Sequence, residues 1–185
     1  MQTALENGGG APLEAALELD IALHALMFTL SGVPVLYSGD EIAMRNDEGY
    51  HGDPLKAEDS RYLHRGDMDW AAAAKRGDPA TPEGQIFAGI RRLEALRAGH
   101  RVFDGAADVW IVNTGDDGVL GIGRYCEGEK LVALFNFSAA EKTIRVEELG
   151  DFRDLLTDEA ADKNAVTLPS GGFVWLQCDF KEEKA

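Results

Sequence analysis

The sequence predicts two unlike parts in series, a piece of an α/β repeat and then an all-β antiparallel sandwich. Three observations lead to this. A helix-length apolar segment runs through Ser31-Gly32 into a short apolar run, Val33 to Tyr37. A polar stretch rich in Asp, Gly and Pro then covers residues 39–82. After His100 the spacing switches from helical to short β-branched and aromatic runs divided by turn residues.

Residues 1–11 contain Asn7-Gly8-Gly9-Gly10, which suits a flexible lead-in. From Pro12 to Leu30 apolar residues dominate, with Leu19, Leu23, Leu26 and Leu30 at helical spacing and Glu14 and Glu18 on another face; this predicts a mostly buried helix. Val33 to Tyr37 reads as a short strand buried on both faces, as in a parallel sheet. That strand would deliver two adjacent acids, Asp40 and Glu41, to its carboxyl end, where ligands sit in parallel α/β folds.

The stretch 39–82 is long for a loop inside a compact domain, which favours a functional role. A second helix starts cleanly after it, with Thr81 as N-cap, Pro82 at the first position and Glu83 beside the positive end. Its stripe is Ile86, Ile90, Leu93 and Leu96, and Gly99 is its stop. Six strands are expected beyond it: Val109 to Asn113, Val119 to Cys126, Leu131 to Phe137, Lys142 to Val146, Asp151 to Leu155 and Phe173 to Phe180.

The formal net charge is -15, from 33 acidic and 18 basic residues spread along the chain. Nucleic acid and anionic membranes would repel such a chain, whereas a neutral ligand would not. Cys126 and Cys178 form no CxxC and lie near no His cluster, so buried free thiols are expected and no metal or cofactor site. No run reaches the ~18 apolar residues of a membrane span, and the start lacks a basic, hydrophobic leader, so a cytoplasmic place is expected.

The polar stretch holds "KAEDSRYLHRGDMDW", Lys56 to Trp70, where Asp59, Arg61, His64 and Arg65 crowd together. Arginine pairs with carboxylates in a bidentate way, so Arg61 can fix a pocket wall by holding an acid; a surface ion-pair loop fits the same spacing. His51 and His64 read as loop hydrogen-bonding residues rather than metal ligands, and His24, four residues after Asp20, as a helix-face partner. Trp110 and Trp175 fall in expected strands, where core packing competes with stacking on sugar rings.

The stretches "GVPVLYSGDEI", "EDSRYLHRGDMDW" and "DPATPEGQIFAGIRRLEALR", followed by "FDG" and "LVALFNFS", resemble the end of the catalytic barrel and the following β-sandwich in amylosucrases and sucrose hydrolases. These belong to the α-amylase family of glycoside hydrolases. The resemblance runs from about residue 15 onward; its sharpest mark is Asp59-Ser60-Arg61, an aromatic, then His64-Arg65. It implies that residues 12–99 are the C-terminal end of a (β/α)8 barrel, its last βα unit, with 39–82 as a pocket loop and 100–185 as the sandwich.

By that resemblance Asp40, Glu41, Asp59, Arg61 and His64 support the substrate pocket, and none of them is catalytic. The family's nucleophilic Asp, acid/base Glu and stabilising His-Asp pair follow earlier strands of the barrel. The four histidines of this chain are followed by Ala25, Gly52, Arg65 and Arg101, so no His-Asp pair occurs. The chain alone is expected to be inactive, and Arg61 to lack the acid that pairs with it in the family. The parent would act on sucrose and α-glucans by double displacement; the alternatives are a trehalose synthase-like or α-glucosidase parent, or a non-catalytic glucan-binding sandwich. Self-association through the apolar barrel segment, or disorder of it, is also expected.

Overall fold

The computed structural model describes residues 2–6, 8, 10–148 and 150–179. Met1, Asn7 and Gly9 of the expected lead-in and Phe180 of the last expected strand lie outside the described residues. The chain divides into two compact units, one built from residues up to Asp20 and from Val35 to Arg91, the other from Ile21 to Pro34 and from Arg92 onward. The helices are α1 (Gln2–Glu6), α2 (Ala11–Thr29), α3 (Trp70–Ala73) and α4 (Pro82–Gly99). The expected flexible lead-in therefore contains a helical turn.

The second unit holds β1 (Asp108–Val112), β2 (Val119–Cys126), β3 (Glu129–Asn136), β4 (Lys142–Ile144), β5 (Phe152–Asp154), β6 (Ala160–Ala161), β7 (Val166–Leu168) and β8 (Phe173–Asp179). Six of them form an antiparallel sheet in the order β1-β2-β3-β8-β5-β6, and β4 pairs with β7 in a second, antiparallel sheet. All six expected strands occur, two of them shortened to three residues. β6 and β7 went unforeseen because two or three residues are too few to show a period. Glu127 and Gly128, both with positive φ (47° and 89°), join β2 to β3, matching the twist that a two-residue hairpin needs.

The centre of the large sheet, at β3 and β8, is buried on both faces. Val132 and Leu134 of β3 join Val119, Ile144, Leu168 and Leu176 in the core between the sheets. Leu131, Ala133 and Phe135 point the other way and are also fully buried. This explains why β3 reads as an unbroken apolar run instead of alternating.

The second face is covered by the segment Ile21–Thr29 of α2 and by a 3-10 turn, Arg101–Phe103. The Trp175 indole donates to Thr29 Oγ1 at 2.9 Å and its ring lies 4.8 Å from that of Phe103. Arg124, 1% exposed, donates from Nη1 to Thr29 O at 2.7 Å, from Nη2 to Asp104 O at 2.9 Å, and from Nε to Val102 O. Arg97 donates to the carbonyls of Phe28 and Gly32, so two guanidinium groups cap the negative end of α2. Burial, and the charge of Arg97, pull the Arg124 pKa down; a guanidinium nevertheless keeps its proton.

The helix α2 does not bury the expected leucine stripe. Ala22, Ala25, Phe28 and Thr29 are buried in the second unit, while Leu19, Leu23 and Leu30 are exposed. Small side chains let the helix backbone come close enough for Trp175 and Arg124 to bond to it.

The strand expected at Val33 to Tyr37 does not form. The segment forms no ladder, and Val33 and Val35 are 88% and 77% exposed. A strand requires a neighbour to bond with, and none among the described residues lies beside this one.

In the first unit the polar stretch is not structureless. It folds into 3-10 turns at Asp40–Ile42, Glu48–Gly52 and Ser60–His64, and then α3. Its aspartates account for this: Asp47, Asp59 and Asp69 accept from the backbone amides of Gly49 (2.9 Å), Arg61 (3.0 Å) and Ala72 (2.9 Å), each starting one element. Thr81 caps α4 as expected, accepting from Gly84 N at 3.1 Å. Gly84 is required there, since a Cβ would lie 1.9 Å from Asp78 O.

Candidate functional site

The turn after Tyr37 and the 3-10 turn Ser60–His64 share a cleft of about 400 Å³ lined by Tyr37, Asp40, Arg61, His64 and Arg65. Gly39 makes the first turn possible with a φ of 102°. Asp40 Oδ2 accepts from Tyr37 N at 3.3 Å, and Glu41 Oε2 from Gly39 N at 2.8 Å. Asp40 lines the cleft, whereas Glu41 folds back on the turn and does not. Each carboxylate holds a backbone amide of its own turn, which is a loop-fixing role.

Arg61 is not unpaired, contrary to the expectation. Asp59 takes it in a bidentate grip, with Nε 2.8 and 3.0 Å from the two carboxylate oxygens and Nη2 at 2.7 Å. The hydrogen bonds from the Arg61 side chain and backbone hold the Asp59 carboxyl at a pKa of about 2, and the same bond raises that of Arg61. The physical reason is proximity: two residues apart in a tight turn, the fork of the guanidinium reaches Asp59 with no backbone cost. Asp59 itself does not line the cleft.

His64 Nδ1 lies 3.0 Å from Asn46 Oδ1, a hydrogen bond across the loop. The His51 ring packs on that of Tyr50 at a tilt of 33°, ring centroids 4.0 Å apart. Among the described residues no group of three or more His, Cys, Asp or Glu is placed to hold a metal. Cys178 is buried and Cys126 half-buried, both free thiols; burial pushes the Cys126 thiol pKa up.

Two lining residues were missed as site residues. Tyr37 read as buried strand, yet half its surface is exposed and it lines the cleft. Arg65 was visible in the charged motif, and only its shared wall with Arg61 and Asp40 shows its place. The cleft thus gathers two guanidinium groups, an imidazole, a phenol and a carboxylate, a set able to orient a polar ligand. A retaining glycosidase needs two carboxyl groups about 5 Å apart across the scissile bond, and this set supplies one on the wall.

The tryptophans of the β unit divide. Trp175 is fully buried and offers no face to a ligand. Trp110 lies over Gly123, where a Cβ would come within 2.1 Å of its ring, and donates to Glu148 Oε1 at 3.2 Å.

No protein-family profile matches the chain. Solved structures do. Its fold is that of a section of α-amylase-family glycoside hydrolases. An alpha-amylase from Anoxybacillus is matched over 99% of this chain and 36% of its own, with 21% identity and a TM-score of 0.65. The cyclic alpha-maltosyl-(1→6)-maltose hydrolase of Arthrobacter globiformis is matched over 87% of this chain and 30% of its own (22% identity, TM-score 0.60). The trehalose-6-phosphate hydrolase of Bacillus licheniformis gives 86% and 38% (17% identity, TM-score 0.64). The chain thus spans less than half the length of each of these enzymes, and at such identities the likeness is one of fold. No helix among the described residues is long and apolar enough to cross a membrane.

Proposed function

We propose that this chain is the C-terminal section of a glycoside hydrolase or transglucosidase that resembles amylosucrase, with residues 12–99 closing a (β/α)8 barrel and 100–185 forming the β-domain after it. The observation that carries the reading is the match of nearly the whole chain to about a third of an alpha-amylase, together with the Asp59-Ser60-Arg61 to His64-Arg65 motif on the wall of a cleft. The parent cleaves sucrose and passes the glucosyl group to water or an α-glucan through a covalent glucosyl-enzyme. In it, Tyr37, Asp40, Arg61, His64 and Arg65 line the sugar pocket, Glu41 and Asp59 hold the turns behind it, and the catalytic carboxylates come from the portion that this chain lacks. It works on neutral sugars in the cytoplasm, without cofactor, nucleic acid or membrane.

Alone, the chain is expected to release no glucose or fructose from sucrose. Co-expressed with the upstream two-thirds of a full-length amylosucrase, it restores sucrose cleavage, and Arg61→Ala removes it. Restored cleavage of trehalose or maltose but not sucrose would replace this reading with the trehalose synthase-like or α-glucosidase one, which the likeness to a trehalose-6-phosphate hydrolase favours.

The exposed Val33, Val35 and Leu23 are of the kind that drives association. Sedimentation velocity is expected to show species larger than the monomer at high concentration, and Val33→Lys with Val35→Lys to abolish them. A monomer at every concentration contradicts this.

A further inference from the structure

The hydrogen bond between His64 and Asn46 fixes more than a loop. Two short segments of the first unit run past each other here: Asp47 N donates to Leu63 O at 2.8 Å, and beside that bond His64 Nδ1 lies 3.0 Å from Asn46 Oδ1. The approach is close, since a Cβ on Gly66 would lie 2.9 Å from Asp47 Cβ. Each segment is also pinned by its own turn. Asp47 accepts from Gly49 N and Asp59 from Arg61 N, and Arg65 N donates to Tyr62 O at 3.0 Å. His64 and Asn46 are thus brought together by bonds that involve neither of their side chains.

The pairing decides where the imidazole carries its hydrogen. An amide oxygen only accepts, so its bond to Nδ1 requires that Nδ1 be the N–H. In the neutral ring Nε2 is then a bare acceptor, on the side of the ring away from Asn46. His64 lines the cleft. Of the other lining side chains, Arg61 and Arg65 can only donate, Tyr37 carries a hydroxyl, and Asp40 already accepts from Tyr37 N. A sugar hydroxyl both donates and accepts; guanidinium groups serve its oxygen and leave its proton without a partner. Nε2 supplies an acceptor without adding a charge, whereas the opposite tautomer would add one more donor.

We propose that Asn46 is a positioning residue: by holding His64 in the Nδ1–H form it makes Nε2 a neutral acceptor on the cleft wall, so that the site selects a sugar with a free hydroxyl at that point. The inference rests on the reading of this cleft as part of a sugar pocket. It also supplies discrimination, because a sugar with hydrogen or methoxy in place of that hydroxyl leaves Nε2 unpaired.

The test reads the tautomer from long-range ¹H–¹⁵N correlations of the imidazoles in the 185-residue chain, at about pH 9, where an imidazole is neutral. His64, assigned by the loss of its signals in His64→Gln, is expected in the Nδ1–H form. Asn46→Ala is expected to move it to the Nε2–H form, and Asn46→Asp, which keeps the acceptor oxygen, to retain Nδ1–H. Unmoved amide signals of Asp47 and Leu63 show that the loop has kept its shape, and Asn46→Asp decides the matter if Asn46→Ala loses it. In the co-expressed enzyme, Asn46→Ala is expected to cost about 5-fold or more for sucrose, in KM rather than kcat, and Asn46→Asp to recover it. His64 found in the Nε2–H form, a tautomer that Asn46→Ala leaves unmoved in an intact loop, one that Asn46→Asp fails to retain, or a KM that ignores the change of tautomer would overturn the proposal. The two readings fail separately: sucrose cleavage with the wrong tautomer sinks the role of Asn46 alone, and absence of cleavage sinks the sucrose reading and leaves the tautomer to decide the role of Asn46.

Discussion

The two units satisfy their buried and half-buried polar groups over different distances along the chain. In the β unit, Trp175 reaches Thr29 from 146 residues away, Arg124 reaches the same residue from 95, and Asn136 reaches Leu168 and Pro169 from 32 and 33. In the polar stretch 39–82, Asp47, Asp53 and Asp59 each accept from an amide two residues on, and the side-chain bond of His64 to Asn46 spans only 18 residues. Long-range bonds tie the β unit into one cooperative body, whereas the polar stretch is held by turn-local bonds and a few links between neighbouring turns. The cleft wall is therefore built largely from local turns, and the β unit from a network.

The largest expected effect breaks the network. Trp175→Ala empties the center of the outer sheet face and leaves Thr29 without its indole partner, so a loss of about 3–5 kcal/mol is expected in urea unfolding followed on the β unit. Arg124→Ala strands the carbonyls of Thr29, Val102 and Asp104 away from solvent; a loss of about 3 kcal/mol is expected, with detachment of the α2 segment read by hydrogen exchange at Phe28 and Thr29. A smaller effect belongs to the modular side: Thr81→Ala removes one cap and is expected to cost about 1 kcal/mol, confined to the first turn of α4.

The smallest effect tests the Asp59 grip. Its folded pKa of about 2 lies below the ordinary 3.8. A depressed carboxyl contributes stability above its unfolded pKa, and that contribution fades as pH falls through the folded one, so the window runs from about pH 4 down to about 2. Carboxyl ¹³C titration is expected to place the Asp59 midpoint near the lower end, and Asp59→Asn to free the Arg61 side chain without altering the β unit. A midpoint near the ordinary value would mean that the pair is not held in solution.

The same contrast decides what could be read from the sequence. The long strands β2, β3 and β8 and the capped helix α4 were legible because each carries its signal within itself: an apolar run of strand length, or Thr81-Pro82-Glu83 ahead of a stripe. The face that α2 buries was not legible, since four leucines outweigh Ala22 and Ala25 in any sequence reading, and only the closeness demanded by Trp175 selects the small side. Val33 to Tyr37 carries a strand sequence without a strand's surroundings, because pairing is a property of the neighbour. In the cleft, Asp40, Arg61 and His64 were named in advance from the end of the apolar run and from the charged motif. The pairing of Arg61 with Asp59 was not, because spacing alone leaves open which acid a guanidinium holds.

Native-state hydrogen exchange, recorded where the chain sediments as a monomer, tests most directly whether the β unit is a cooperative body while the segment Val33 to Tyr37 stays unpaired. Amides of Leu131 to Phe135 and of Val174 to Leu176 are expected to exchange only through global unfolding, while those of Val33, Val35 and Leu36 exchange at nearly the unfolded rate. Protection of Val33, Val35 and Leu36 comparable to that of β3 would contradict it, and would mean that this segment is already a paired strand in the chain as it stands.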